Sequence, residues 1–187
     1  NGSDEISLAL CGNKAQVGIM QVDAIYARAQ EGCTLKPVSV FGAEYAVILF
    51  PPNSDKNDLV DLTSQDKIMV DTIGSGTSLF WKTIVGIEQG EDGDKDDWSN
   101  AQPVYDSLLL TNAQGTMNEI QAVLMVRKAN APDLIQLIEL GWKFGYLWDR
   151  DIDDLKFKNT PLYKAEEIKL VVNNVKLWNW AYEVQSF

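Results

Sequence analysis

The run Gly74-Ser75-Gly76-Thr77 is the place in this chain where residue types and spacing point to binding chemistry. It follows the apolar stretch Ile68-Met69-Val70 and leads into a helical pattern that continues to about Glu88. Glycines let the backbone turn tightly and approach a ligand. The first N–H groups of a helix have no intrahelical partner and lie at the positive end of its dipole. With the hydroxyls of Ser75 and Thr77 beside them, Gly74 to Thr77 form a seat for a carboxylate or a phosphate. Serine or threonine after a glycine turn is also an ordinary helix cap, so the neighbouring residues must decide between the two.

Other chemistries are narrowed by what the chain contains. It has no histidine, which removes Ser-His-Asp and Cys-His catalysis, histidine zinc ligands and histidine pH switches. Cys11 and Cys33 do not form a metal-ligand cluster. They permit one disulfide, or stand as two small buried thiols. The acidic run from Glu91 to Asp97 places Asp92, Asp94 and Asp96 at alternate positions but fails the EF-hand pattern. Asp97 stands where the loop glycine belongs, and Pro103 where the bidentate glutamate belongs. It reads as a solvated acidic loop. Asp149, Asp151, Asp153 and Asp154 read as a surface turn with a helix cap. The expectation is therefore a protein without metal or other cofactor. No nucleophile-base pair is visible, so it is expected not to be an enzyme.

A chain of 187 residues with 45% hydrophobic content can bury a core as one domain or two small lobes. Its formal net charge is -11, and its sixteen Lys and Arg residues are scattered. Nucleic acid and anionic membrane surfaces are thus disfavoured as partners. No apolar run approaches the roughly 20 residues of a membrane-spanning helix, and no charged-then-apolar leader is present. Because the sequence starts at Asn1, it reads as a processed or shortened product.

The elements that must position these residues alternate between apolar runs and helical patterns, as in an α/β protein. The patterning predicts a helix over 5–10 ending near Gly12, a strand over 16–20, and a helix capped by Asp23 running to about Ala29. Strands follow over 38–41 and 46–50 around a bend at Gly42, ended by Pro51-Pro52. A helical turn is expected over 59–62, a strand over 67–71, and a polar insertion over 90–100. The second half predicts a helix over 103–110, a strand over 120–127, a helix over 132–140 opened by Pro132, and strands over 144–148, 169–172 and 178–184.

These pieces carry a resemblance. Gly2-Ser3 followed by Glu5, Leu8 and Gly12, then Val17-Gly-Ile-Met-Gln21-Val-Asp23-Ala-Ile-Tyr26-Ala, resembles the Gly-Ser loop and Gln-x-Asp strand end of TAXI-type solute receptors. These are type II periplasmic binding proteins serving TRAP transporters. The similarity continues through residues 38–49 with Glu44, Asp61-Leu62, residues 67–77, Glu119 to Val126, Ala131-Pro132, Pro161-Leu-Tyr163 and Glu167-Ile168. Order and spacing match. The chain departs from the pattern at Gln121, where the family has Asp, and at Ala43, where it has Pro. The family's first strand would precede Asn1.

The resemblance implies two α/β lobes, 1–46 plus 128–187 and 47–127, joined by crossing strands at 46–50 and 123–127. It implies a small anionic solute, an amino acid or organic acid, in the cleft between them, a TRAP-type membrane partner, and a periplasmic or extracellular location. Ligands in open α/β sheets lie at strand carboxyl ends, which groups Ser3, Gln21, Asp23, Glu44, Tyr45, Gly74, Ser75, Gly76 and Thr77 as candidate contacts. Asp23 is preferred as a helix N-cap, since the helical pattern starts directly after it. Gln21 offers both a donor and an acceptor, Glu44 an acceptor for an ammonium group. Tyr26 and Trp81 are expected in core packing. The alternative is a structural or interaction protein on the same fold. The edge of the strand over 16–20 is then expected to be covered by an upstream segment, a second copy, another subunit or the tail strand over 178–184.

Overall fold

The computed structural model describes residues 2–106 and 119–187. Helices α1 (Ser3–Cys11) and α2 (Val22–Gln30) come first. The Cys11–Cys33 disulfide joins the last residue of α1 covalently to the segment just after α2, which settles the two open readings of these cysteines. The long strand β1 (Gly42–Phe50) follows, then a 3-10 turn (Leu59–Asp61), β2 (Lys67–Met69) and α3 (Gly76–Glu88). Beyond a second 3-10 turn (Asp97–Asn100) come β3 (Gln102–Val104), β4 (Ala122–Arg127), α4 (Pro132–Glu139) and β5 (Lys143–Phe144). The chain then forms α5 (Arg150–Asp154), the short pair β6 (Lys156–Phe157) and β7 (Thr160–Pro161), and the closing hairpin β8 (Lys164–Val172) and β9 (Val175–Ser186).

The result is a mixed α/β fold. The main sheet runs β3-β2-β4-β1-β9-β8, with β5 beside the end of β1. Strands β2, β3 and β4 are parallel, whereas β1 lies antiparallel to β4 and to β9. Both central strands are apolar at successive positions because both faces are covered. Ala46, Ile48 and Phe50 of β1 join Leu124 and Val126 of β4 beneath Phe80, Trp81 and Ile84 of α3. Val47, Leu49, Val123 and Met125 face the other way, toward Leu134 and Leu137 of α4. A small third cluster, Met20, Ala24, Ile25 and Leu79, seats α2 on α3. Trp81 packs edge-on against Trp98 with ring centres 5.8 Å apart, and Tyr26 likewise against Phe157, as expected of core rings.

Several expectations are corrected. Residues 16–20 form no strand: Met20 exchanges both backbone hydrogen bonds with Phe187, and Gln21 bridges to Ser186, so the chain's last residues take this edge at one point only. Residues 38–41 are likewise outside the ladder apart from the Phe41 N–H, which donates to Ser186. Gly42 is not a bend, since it opens β1. Pro103 lies in β3, so no helix begins there, and positions 107–110 of that expected helix fall outside the described residues. The strand over 144–148 shrinks to Lys143–Phe144, because β9 occupies the remaining flank of β1. Among the described residues, no helix is long and apolar enough to cross a membrane.

Candidate functional site

The turn leading into α3 is shaped by two left-handed positions. Asp71 has φ +63° and Gly74 has φ +84°, and Asp71 is held there by an ion pair with Arg127 at 2.8 Å. The same guanidinium pairs with Asp133 at 2.8 Å, so it clamps the turn to the start of α4. Ser75 is the N-cap of α3: its hydroxyl accepts from the Ser78 N–H at 3.1 Å. The N–H groups of Gly76 and Thr77 have no hydrogen-bond partner among the described residues. The helix start is therefore capped and still carries two open donors.

Four separate segments meet at this point. Gly2 touches the turn so closely that a Cβ there would stand 1.9 Å from the Gly74 carbonyl oxygen. The Gln21 side chain lies on Gly76, where an added Cβ would come within 2.1 Å of Gln21 Oε1. Gln21 is also the N-cap residue of α2, and its backbone N–H donates to Ser3 Oγ at 3.1 Å. Gln21 Nε2 donates to Glu44 Oε2 at 2.8 Å, whereas Gln21 Oε1 is buried with no partner. A buried amide oxygen left unpaired is costly. Ser3, Gln21, Glu44 and Gly74 to Gly76 thus form one polar junction, and its spare groups are an acceptor and two donors.

The side chains of three of the sequence candidates lie apart from it. Thr77 is 1% exposed, and its Oγ1 accepts from the Val126 N–H at 3.0 Å, so this hydroxyl ties α3 to β4. Tyr45 follows Glu44 on a strand, where neighbouring side chains alternate faces; it packs with the cluster on the α4 side of the sheet. Asp23 is not the N-cap. It lies inside α2, fully buried, accepting from the Ala24 N–H at 2.9 Å and the Tyr163 hydroxyl at 3.4 Å. Burial pushes its carboxyl up to about 7, and those two hydrogen bonds only partly offset this. Gly2 and Arg127 were not among the sequence candidates. The signal for Gly2 was its place before Ser3, and for Arg127 the charge closing an apolar strand.

Three cavities of about 520, 480 and 480 Å³ lie elsewhere, none of them lined by Ser3, Gln21, Glu44 or Gly74 to Thr77. The junction is a closed contact in this conformation. A ligand would have to part Gly2 and Gln21 from the start of α3.

Two of the solved structures that this chain is similar to are binding proteins. One is an ancestral arginine-binding protein bound to arginine, with TM-score 0.44, 16% identity, 76% of this chain and 59% of that one covered. Another is an ABC transporter periplasmic substrate-binding protein from Coxiella burnetii, with TM-score 0.35, 13% identity, and coverage of 100% and 69%. The chain therefore spans less than two thirds of the length of the arginine-binding protein. No protein-family model matches the chain, and no curated protein matches it in sequence.

Proposed function

We propose that this chain is a solute-binding protein that holds a small anionic ligand, an amino acid or an organic acid, where the start of α3 meets Gln21 and Glu44, and presents it to a TRAP-type transporter outside the cytoplasm. The observation that carries the proposal is Gln21: its amide oxygen is buried without a partner directly over Gly76, whose N–H is also unpaired. A ligand carboxylate would take the Gly76 and Thr77 N–H groups and the Ser75 hydroxyl proton. An ammonium group would take Gln21 Oε1 and Glu44. The reading divides the chain into 1–46 plus 128–187 and 47–127, with β1 and β4 as the connecting strands. The ligand would replace the direct contacts of Gly2 and Gln21 with the start of α3 and hold the two parts together through its own contacts to both. Binding rather than catalysis is proposed because the junction holds no nucleophile with a base beside it.

Titration calorimetry with a panel of amino acids and small dicarboxylates tests the reading. One class should bind, and Gly76→Ala should weaken it at least about tenfold by driving a methyl into Gln21 and displacing it. Glu44→Gln should weaken an amino acid but not an organic acid. Lack of binding by every ligand tried, or affinity indifferent to Gly76→Ala, would sink the proposal. The second reading, a chain that works within an assembly, is favoured by the apolar row Val17 (85% exposed), Val38 (92%) and Phe41 (72%), and sedimentation that changes with protein concentration would support it.

A further inference from the structure

We propose that Glu88, Asp149 and Asp151 form a calcium site that clamps the end of α3 to the start of α5. The three carboxylates offer ligand oxygens that all lie within 4.8 Å of one another. Three carboxylates suit a hard cation, and calcium accepts such oxygens in flexible geometry at about 2.3–2.6 Å, whereas magnesium demands a near-ideal octahedron and keeps most of its waters. An acidic cluster alone would mean little. The second observation is Glu88 itself, which is 1% exposed, with Oε2 buried and without any hydrogen-bond partner. Among the described residues neither Glu88 nor Asp149 takes part in an ion pair. Arg150, which follows Asp149 in sequence, is spent on Asp94, approaches Asp151 only to 3.8 Å and is mostly exposed.

The surroundings hold the three groups in place. Glu88 Oε1 accepts from the Asp96 N–H at 2.5 Å, and Asp149 Oδ1 caps α5 by accepting from the N–H groups of Asp151 and Ile152. Asp151 Oδ2 accepts from the Asp94 N–H at 2.8 Å. Asp149 is also fixed to the sheet, since the Tyr182 hydroxyl donates to its carbonyl at 2.8 Å and accepts from its N–H at 3.1 Å. Gly93 lets the acidic loop close over the end of α3, because a Cβ there would stand 2.1 Å from the Glu88 carbonyl oxygen. Uncompensated charge buried in this way is expensive unless it is paired or coordinates a metal. The acidic loop therefore supplies backbone donors that orient two of the carboxylates. This inference stands independently of the solute reading.

The test uses the full chain stripped with a chelator, with calcium chloride as the probe. Calorimetry should give one calcium per chain, and millimolar calcium should raise the melting temperature by about 4 °C or more. Terbium luminescence should be sensitised through Trp98, a buried indole beside Asp149. Glu88→Gln is the sharper readout. In chelator it should melt at or above the wild type, because an unpaired buried charge is gone, and in calcium it should gain nothing. Asp149→Asn keeps the cap while removing the charge and should also lose the calcium effect. Asp92→Asn, in the loop but outside the site, should retain it. The proposal is overturned if sodium chloride at matched ionic strength reproduces the calcium gain, if Glu88→Gln keeps it, or if calorimetry detects no binding. A wild type and Glu88→Gln that behave alike with and without calcium would assign the buried oxygen to a proton instead.

Discussion

The buried carboxyl of Asp23 shows what a single residue can do to stability. Its helix could be read from the sequence, but its role could not, because an aspartate two positions into a helical pattern is compatible with a cap, a surface charge or a core acid. Only the tertiary fold places it beside Tyr163, some 140 positions away in sequence. Its carboxyl titrates near 7 in the folded protein against 3.8 ordinarily, because burial disfavours the charged form. Between about pH 4 and pH 7 the native state holds a proton that the unfolded chain has released. Stability is therefore fully present below about pH 4, falls as pH rises through about 7, and levels off above. The raised value corresponds to about 4 kcal/mol lost by pH 8. Asp23→Asn should flatten this part of the profile, being more stable than the wild type at pH 8 and slightly less stable at pH 5, where it forfeits one hydrogen-bond acceptor. Urea midpoints at the two pH values check this, and parallel profiles for the two proteins would contradict it.

At the scale of elements, the helices and the central strands were legible because their patterns are long and their punctuation is strong. Ser75 as a cap, Pro132 at the first turn of α4, and the apolar run of β4 all sit within a residue or two of expectation, whereas β1 ends at Phe50 as expected but starts four residues before the expected 46. The failures have a common cause. Residues 16–20 and 38–41 are apolar and β-prone, yet a strand exists only where a neighbour accepts its hydrogen bonds, and among the described residues the neighbour is reduced to contacts with Ser186 and Phe187. The polar junction was half legible: residue types marked Gln21 and the glycine turn, but which oxygen is left unpaired depends on Glu44 and Gly76 arriving from elsewhere. The Cys11–Cys33 bridge belongs to this scale, since it fastens the end of α1 to the chain just after α2, and these helices begin with Ser3 and the N-cap Gln21. Its separation of 22 residues implies about 3 kcal/mol of stabilisation by loop closure. Reduction with dithiothreitol should lower the unfolding free energy by about that amount and loosen the Ser3 to Gln21 contact. A loss below about 1 kcal/mol in matched urea titrations would show that the bridge closes no costly loop.

For the whole molecule, the question is whether its segments unfold separately. The expected division, 1–46 plus 128–187 against 47–127, cuts through β1 between Ala46 and Val47 and falls at the end of β4 after Arg127, and these strands are the shared material of the core. Alternate residues of each enter opposite faces, Ile48 and Leu124 toward α3, Leu49 and Val123 toward α4. Removing either strand would strip both faces at once, and the five-residue register between them is unbroken from Tyr45 with Arg127 to Leu49 with Val123. Cross-bracing adds to this: Thr77 joins α3 to β4, and Arg127 joins β4 to the turn before α3 and to α4. Interfaces this apolar and this interdigitated couple energetically, because opening one exposes the other to water. Equilibrium unfolding in urea is therefore expected as a single transition. Tryptophan fluorescence, weighted toward buried Trp81 and Trp98 on the α3 face and Trp142 on the α4 face, should coincide with far-UV circular dichroism. Two separated midpoints, with fluorescence leading or lagging the loss of secondary structure, would mean that the two faces melt independently despite sharing their central strands.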